Sequence, residues 1–300
     1  MTVTVRVPAK VNVQLAVGAA RADGFHDLAN VFLAVGLYDE VTVTPADELR
    51  VTCEGPDAGQ VPLDVTNLAA RAAIALAERY GRTPDVHLHI AKDIPVAGGM
   101  AGGSADGAGA LLACDTLWGT GASRDELLDI CAELGSDVPF SLVGEAALGT
   151  GRGERLTALE VGGTFHWVFA MAVRGLSTPA VFREFDRLGA GLDIPEPVAS
   201  RELLDALAKG DPDALAATVS NDLQPAALSL FPELADTLAA GRAAGALATL
   251  VSGSGPTTAY LARDTASAEK IAEALRTSGT CRSVRVASGP VPGATVVDAR

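Results

Sequence analysis

The 300-residue sequence has few aromatic side chains, few cysteines and no long apolar run. Aromatic residues make up 4% of it, and none of the four cysteines belongs to a C-x-x-C pair. This pattern favours reduced thiols over disulfide bonds. No apolar run approaches the roughly 18 residues of a membrane span, and the first residues lack the basic and apolar regions of a signal peptide. We therefore expect a cytoplasmic protein without a membrane partner.

Basic residues are also scarce. The sequence has 23 Lys and Arg and 37 Asp and Glu, which gives a formal net charge of −14. Nucleic-acid binding derives most of its affinity from the neutralisation of phosphates, so this balance argues against a nucleic-acid partner. It does not exclude an anionic small ligand, since a local group of donors can hold a phosphate within an unfavourable overall field. The absence of His-Arg-Asp and Asp-Phe-Gly strings argues against a protein kinase.

Composition and length indicate a globular protein of two domains. Apolar residues make up 48% of the sequence and charged residues 20%, which is ordinary for a folded protein, and the length corresponds to roughly two domains. The alternation within Val3–Val7 and the segments Val31–Val35 and Val41–Thr44 predict antiparallel strands. We expect Pro8 to end the first of these strands and Gly36 to separate the other two.

Helical patterns follow these strands. A helix is predicted for Asn67–Tyr80, with Thr66 or Asn67 as its cap, and another begins at Ser104. Further helices are predicted at about 201–208, 213–219, 232–243 and 266–276. Glycines cluster between residues 144 and 163, which places a domain boundary near residue 157. We therefore predict an α+β fold with domains formed by residues 1–157 and 158–300.

The most informative stretch is the glycine-rich segment, Pro95–Ala105. It lies between a strand, predicted from the alternation of Val86, Leu88 and Ile90, and the helix predicted to begin at Ser104. Its four glycines are Gly98, Gly99, Gly102 and Gly103. Glycines leave room for backbone N–H groups to converge and permit the positive φ angles that such a cradle needs. The helix N-terminus adds unpaired amide donors and the positive end of the helix dipole. The segment therefore predicts a phosphate-binding site.

Other glycine motifs fit this segment poorly. A Walker loop requires Lys after its second glycine, but Ser104 follows Gly103. A nucleophile elbow around Ser104 would require Gly where Asp106 stands. The remaining alternative is a flexible turn without a ligand, although loose turns rarely carry four glycines beside a helix start.

Three other stretches carry weaker signals. Lys10 and Asn12 stand two residues apart and so share one face of a strand, which alone would fit a solvated strand edge. Asp137 lies between a glycine and a proline in an apolar neighbourhood, which alone is typical of a turn or a helix cap. Ser252–Tyr260 forms a second glycine-rich turn after a predicted strand.

Together and in this order, the four stretches resemble the GHMP family of small-molecule kinases. The first motif corresponds to Pro8–Leu15, the second to Pro95–Ala110 and the third to Gly253–Tyr260, so the resemblance covers nearly the whole chain. It implies a two-domain α+β fold with an N-terminal ribosomal-protein-like α/β domain and a C-terminal ferredoxin-like α+β domain. The active site would lie in the cleft between them.

Within this family the chain is similar to a branch that uses ATP to phosphorylate a hydroxyl group of a cytidine-diphosphate-linked polyol, in the non-mevalonate route to isoprenoid precursors. The segments that carry this similarity are Arg21–Leu28, Gly135–Leu142, Gly149–Glu154 and Asn221–Leu223. The alternative is another GHMP kinase, of the homoserine or mevalonate type, with the same ATP segment and a different acceptor pocket. A binding module without catalysis is disfavoured, because both Lys10 and Asp137 are retained.

The resemblance implies a catalytic pair and an ATP site. Asp137 would accept the proton of the acceptor hydroxyl or orient that hydroxyl, and Lys10 would favour the ionised carboxylate and neutralise charge on the transferred phosphoryl group. ATP chemistry implies Mg²⁺, for which Ser104 is either a hydroxyl ligand or instead a helix cap. The residues implied to bind ATP are Pro95, Val96, Ala97, Gly98, Gly99, Met100, Ala101, Gly102, Gly103, Ser104 and Ala105.

The resemblance also implies a cytidine pocket. His26 would bond to the cytosine edge, rather than being a core or loop histidine, and Phe25 and Phe182 would stack on the ring. Asn12 would contact the diphosphate or the polyol, and Thr178 is assigned to the same substrate. The branch commonly has Tyr where Phe25 stands, so stacking survives here but a phenolic hydrogen bond does not.

Overall fold

Two β-sheets with helices on their faces make up the structure, a computed structural model that describes residues 1–300. The strands are β1 (Val3–Ala20), β2 (His26–Pro45), β3 (Arg50–Glu54), β4 (Val86–Ala91), β5 (Ala146–Thr150), β6 (Arg155–Ala158), β7 (Phe165–Met171), β8 (Ser220–Asn221), β9 (Ala248–Val251), β10 (Thr258–Ala262), β11 (Ser283–Gly289) and β12 (Thr295–Ala299). The helices are α1 (Leu68–Arg79), α2 (Gly102–Trp118), α3 (Arg124–Leu134), α4 (Val138–Val143), α5 (Thr178–Leu188), α6 (Arg201–Lys209), α7 (Pro212–Ala216), α8 (Gln224–Leu230), α9 (Leu234–Ala243) and α10 (Thr265–Ser278), with a 3₁₀ turn at Ala58–Gln60. None of the helices combines the length and apolar character that crossing a membrane requires.

The larger sheet has the strand order β12-β1-β2-β4-β3. In addition, β5 pairs with β2, β6 pairs with β5, and β8 pairs with β1. The predicted alternation holds in β1, where Val3, Val5 and Val7 are fully buried. Helix α2 packs against β1 and β2. A Cβ added at Gly109 of α2 would lie 2.9 Å from methyl groups of both Val7 and Val41, so glycine lets the helix approach the sheet closely. This approach fixes where the N-terminus of α2 lies.

The prediction that Pro8 and Gly36 interrupt the first strands is wrong. Both strands continue, and their pairing shifts between Pro8, which faces Tyr38, and Ala9, which faces Val35. The shift leaves Gly36 in a bulge of β2. A proline is tolerated inside a sheet where a bulge removes the need for its missing N–H group, so the two irregularities compensate each other.

The smaller sheet has the strand order β11-β7-β10-β9, with every pair antiparallel. Strand β7 is buried on both faces. Its even-numbered residues Val168 and Ala170 join a cluster with α10, whereas Trp167 and Phe169 belong to the large core that includes the first sheet. The two sheets therefore share one hydrophobic core, which holds them in a fixed relation around the cleft described below.

The α+β fold class is confirmed, and several helices lie near their predicted positions. Helix α1 begins one residue after Asn67, whose side-chain oxygen accepts the Ala69 N–H at 2.8 Å. Helices α6, α7, α9 and α10 overlap the four helices predicted in the second half, whereas α5 and α8 were not predicted. The domain boundary near residue 157 stays a prediction; β12, at the chain end, pairs with β1 of the first sheet.

Candidate active site

A cleft of about 650 Å³ opens between strands β1 and β2 of the larger sheet, the N-terminus of α2 and helix α5. It brings together residues from distant parts of the chain. The sequence-predicted site residues that line it are Lys10, Asn12, Phe25, His26, Pro95, Ala97, Gly98, Gly99, Ala101, Gly102, Gly103, Ser104, Asp137, Thr178 and Phe182. Three residues of the glycine-rich segment do not line this cleft: Met100 and Ala105 are fully buried, and Val96 lines a small neighbouring cavity.

The glycine-rich segment forms a tight loop that ends in α2. Ala97, Gly99 and Ala101 have φ angles of +50°, +75° and +61°. An added Cβ at Gly99 would stand 2.0 Å from the carbonyl oxygen of Ser252, so only glycine fits this crossing with the second glycine-rich turn. The segment is therefore held against a turn from the other half of the chain.

The first turn of α2 presents amide groups to the cleft. The N-cap residue is Ala101, which supplies no capping side chain. The first-turn residues Gly102, Gly103 and Ser104 line the cleft. Their N–H groups have no acceptor earlier in the helix, which makes this end of α2 suited to an anion. The prediction that Ser104 caps the helix is wrong, because α2 begins at Gly102.

Lys10 and Asp137 both line the cleft, with Lys10 Nζ 3.8 Å from Asp137 Oδ2. The ammonium also donates hydrogen bonds to Asn12 Oδ1 at 2.6 Å and to the Gly99 carbonyl oxygen at 2.9 Å. The Lys10 side chain is 5% exposed and that of Asp137 is 33% exposed, so the carboxylate is open to the cleft. Asp137 precedes α4, and its side chain does not cap that helix.

Burial sets the protonation behaviour of Lys10. It lowers the pKa of Lys10, while the negative charge of Asp137 acts in the opposite direction. The net result is a lysine whose pKa lies below its ordinary value. Asp137 therefore helps Lys10 to keep its positive charge at a site where burial disfavours it.

Asparagines extend the polar floor of the cleft. Asn12 Nδ2 donates to Asn30 Oδ1 at 2.6 Å, and both side chains are buried and line the cleft. Asn30 lies on β2 and was not predicted as a site residue, since a single polar residue in an apolar strand gives no distinctive signal. The second glycine-rich turn is attached to the glycine-rich segment here, because the Ser252 hydroxyl donates a hydrogen bond to the Gly99 carbonyl oxygen at 3.0 Å.

Aromatic rings gather at the other end of the cleft. The His26 and Phe182 rings stack with centroids 5.0 Å apart, and Phe185 meets His26 edge-on at 5.8 Å. Phe25 is half exposed at the cleft mouth. His26 Nδ1 lies 2.9 Å from the Gly18 carbonyl oxygen and donates to it, which leaves Nε2 as the ring nitrogen available to a ligand.

Charged side chains that the sequence did not single out surround these rings. Arg152 is on the turn between β5 and β6, and its guanidinium lies 5.2 Å from the centre of the Phe25 ring. Arg183 and Asp186 of α5 line the cleft as well, and Asp186 Oδ1 is 3.6 Å from His26 Nε2. Arg152 lies in Gly149–Glu154, a segment that carried the family similarity, but its charge gave no separate signal.

The cleft contains few candidate metal ligands, and the chain has no group of three or more His, Cys, Asp and Glu arranged to hold a metal ion. The carboxylates that line the cleft are those of Asp137 and Asp186, and the Ser104 hydroxyl lies in the first turn of α2. Such a sparse donor set fits Mg²⁺, which keeps several waters and is commonly held by one or two protein oxygens together with substrate phosphates.

Comparison with known proteins adds independent information. Residues 67–145 match the GHMP kinases N terminal domain, and residues 203–281 match GHMP kinases C terminal. The 4-diphosphocytidyl-2-C-methyl-D-erythritol kinase of Streptomyces coelicolor is 84% identical over 299 residues, covering 99% of this chain and 100% of that relative. The protein of the same name from Streptomyces avermitilis is 82% identical over 297 residues, with coverage of 99% and 100%. The crystal structure of 4-(cytidine 5'-diphospho)-2C-methyl-D-erythritol kinase has a TM-score of 0.76 and 33% identity, covering 95% of this chain and 98% of its own.

Proposed function

The chain belongs to the GHMP kinase family and is a small-molecule kinase with that family's two-domain fold, and from this premise we propose that it transfers the terminal phosphoryl group of ATP to the 2-hydroxyl group of 4-diphosphocytidyl-2-C-methyl-D-erythritol. The observation that carries the proposal is the joining of three features in one cleft. The amides of α2, the Lys10–Asp137 pair and the aromatic rings all line it. These three groups suit a phosphate donor, a reacting hydroxyl and a nucleobase.

ATP binds, in this proposal, with its phosphates at the first turn of α2. Kinases of this family use ATP as phosphate donor. The free amides of Gly102, Gly103 and Ser104 and the dipole of α2 offer several donors to the phosphates. The chain as a whole carries a net charge of −14, so this local donor set must outweigh an unfavourable general field.

Phosphoryl transfer follows from the placement of Lys10 and Asp137. As the bond from the acceptor oxygen to the γ-phosphorus forms, the hydroxyl proton passes to the Asp137 carboxylate and the bond to the ADP oxygen breaks. Lys10 lies 3.8 Å from that carboxylate and directly beside the glycine-rich segment. Its ammonium stabilises charge that develops on the phosphoryl oxygens during transfer.

Mg²⁺ is part of the proposal as a companion of ATP. Ser104 would supply a hydroxyl oxygen to it, since this side chain lines the cleft in the first turn of α2. The ion would neutralise the β- and γ-phosphate oxygens. Its other ligands would be phosphate oxygens and water molecules, in keeping with the small number of carboxylates in the cleft.

The cytidine end is assigned to the aromatic side chains. The cytosine ring stacks between Phe25 and Phe182, and His26 Nε2 accepts a hydrogen bond from the base's amino group because Nδ1 is already bonded to the backbone. Arg152, stacked on Phe25, is placed to pair with the diphosphate that joins the base to the polyol. Asn12 and Thr178 supply polar contacts to the rest of the substrate. A homoserine or mevalonate acceptor would leave these aromatic groups without a ring to hold.

Phe182→Ala tests this pocket. We expect the KM for the cytidine substrate to rise about tenfold or more, since stacking is worth roughly 1–3 kcal/mol per base, while the KM for ATP changes less than about twofold. Leu188→Ala is the matched control, because Leu188 belongs to the same helix but is exposed and does not line the cleft. Steady-state kinetics with each substrate varied in turn gives both constants. Equal losses for ATP and the cytidine substrate would contradict the assignment.

The predicted cytoplasmic location and the predicted absence of a nucleic-acid partner stay predictions.

A further inference from the structure

A buried ionic cluster of Asp39, Lys92 and Asp106 lies directly behind the glycine-rich segment. No more than 3% of any of these side chains is exposed. The Lys92 ammonium donates hydrogen bonds to Asp39 Oδ2 and, at 2.8 Å, to Asp106 Oδ2. The groups come from separate elements, since Asp39 belongs to β2, Lys92 follows β4 and Asp106 is in α2. Charges are rarely buried this deeply unless they are paired, so the arrangement calls for an explanation.

The cluster holds the glycine-rich segment at both ends. Lys92 stands just before Pro95–Ala105 and Asp106 just after it, so their bond closes the segment at its base. Asp39 adds a second attachment, because its Oδ1 accepts the backbone N–H groups of Asp93 at 2.8 Å and Ile94 at 2.9 Å. The residues before the glycine-rich segment and the first turns of α2 are therefore joined through the same buried cluster.

The ammonium also lies beneath the first turn of α2. A Cβ added at Gly102 would stand 2.9 Å from Lys92 Nζ, so a side chain there would press on the buried ammonium. Gly102 lines the cleft, whereas neither Lys92 nor Asp106 does. The cluster is therefore in direct contact with a residue whose amide group faces the cleft.

The charges of the cluster do not balance. One ammonium faces two carboxylates, and Asp106 Oδ1 has no hydrogen-bond partner although it is buried. Burial raises the pKa of Asp106 to about 7, against the lowering influence of Lys92. Burial alone would lower the pKa of Lys92, but the two carboxylates outweigh it and raise that pKa. Asp39 by itself can neutralise Lys92, so the bond to Asp106 serves another purpose, which is the link to α2.

Building on the proposed use of ATP, we propose that Lys92 and Asp106 are positioning residues for the triphosphate. Their bond fixes the first turn of α2 relative to the end of β4, so that its amides meet the phosphates without prior rearrangement. Such preorganisation increases affinity because less ordering is needed on binding. The effect is specific to ATP, since Phe25 and Phe182 at the acceptor end are attached to other elements.

Asp106→Ala tests the proposal, because it removes the link to α2 while Lys92 stays paired with Asp39. We expect the ATP Kd, measured by titration calorimetry without acceptor, to rise about tenfold, and the KM of the acceptor to change less than about twofold. The serine of Asp106→Ser is too short to reach the ammonium, so we expect the same rise in the ATP Kd. This variant replaces Asp106→Ala if Asp106→Ala does not fold. Asp106→Asn keeps an acceptor oxygen for Lys92 and is expected to restore most of the affinity.

Asp115→Ala is the matched control. It removes an aspartate from the other end of the same helix, where Asp115 accepts hydrogen bonds from Thr120 and Ala122, and should leave the ATP Kd unchanged. An unaltered Kd in Asp106→Ala, or equal losses for ATP and acceptor, would overturn the positioning role. So would a rise in Asp115→Ala as large as that in Asp106→Ala. A wild-type protein that binds no ATP would overturn the proposed function as well, whereas normal ATP binding with unaffected variants would overturn this inference alone.

Discussion

Replacement of Asp137 by Asn is expected to lower kcat by about 10²–10⁴-fold while ATP affinity changes less than about twofold. The carboxylate is open to the cleft and lies 3.8 Å from the Lys10 ammonium. An asparagine keeps the shape and one acceptor oxygen, so it can still orient a hydroxyl group, but it cannot take up the proton at neutral pH. The size of the loss therefore distinguishes proton transfer from orientation alone. Single-turnover phosphate transfer, with ATP binding measured separately by calorimetry, gives both values.

Asp129→Asn provides the control for this substitution, because Asp129 is exposed on α3 and does not line the cleft. Its kcat should equal that of the wild type. Asp137→Ala removes both the base and the acceptor oxygen and should be at least as impaired as Asp137→Asn. A variant Asp137→Asn that turns over at a rate near the wild type would exclude Asp137 as the group that receives the hydroxyl proton.

Replacement of Lys10 by Met is expected to lower kcat by about 10²–10³-fold, the usual effect of losing one group that stabilises transition-state charge. The KM for ATP should rise as well, because the ammonium donates a hydrogen bond to Gly99 of the glycine-rich segment. Folding should be retained, since Asp137 is a third exposed and does not become a buried unpaired charge. Steady-state kinetics and a melting curve measure these effects separately.

Lys10→Arg should not restore activity, because the Lys10 side chain is 5% exposed and its ammonium fits between Asn12 Oδ1 and the Gly99 carbonyl oxygen. The larger, planar guanidinium would have to displace these contacts. The double variant Lys10→Met, Asp137→Asn should be about as slow as the slower single variant, as expected for residues that act as a unit. Losses that multiply would show that the two residues act independently. A kcat near the wild-type value in Lys10→Met would remove Lys10 from the mechanism.

Local signals explain which parts of the fold could be predicted. Helix α1 has a capping asparagine before it and an apolar stripe along it, and it lies within one residue of the predicted bounds at each end. The continuity of β1 and β2 could not be predicted, because Pro8 and Gly36 each break a strand by local rules and are compatible only when they meet across a bulge. Helix α5 could have been predicted, because Val181, Phe185 and Leu188 follow helical spacing after Pro179, although only Val181 is fully buried.

The same distinction applies to the site. Lys10 and Asp137 were recognised only through the order of motifs along the chain, since each alone fits an ordinary surface role. The contacts that depend on the fold gave no such signal: Arg152 stacks on Phe25, and Lys92 bonds to Asp39 across 53 positions of sequence. Long-range pairings of this kind are set by the sheet register and the close approach of α2, neither of which is encoded near the residues concerned.

Phosphate transfer from ATP to a panel of alcohols, followed by ADP release and by detection of the phosphorylated product, tests the central claim most directly. The panel contains 4-diphosphocytidyl-2-C-methyl-D-erythritol, homoserine and mevalonate. We expect rapid transfer to the cytidine-linked polyol, with a kcat/KM at least about 10³-fold above that for either of the others, because only this acceptor fills the aromatic end of the cleft. Preferential phosphorylation of homoserine or mevalonate, or no transfer to the cytidine-linked polyol, would contradict the proposed function.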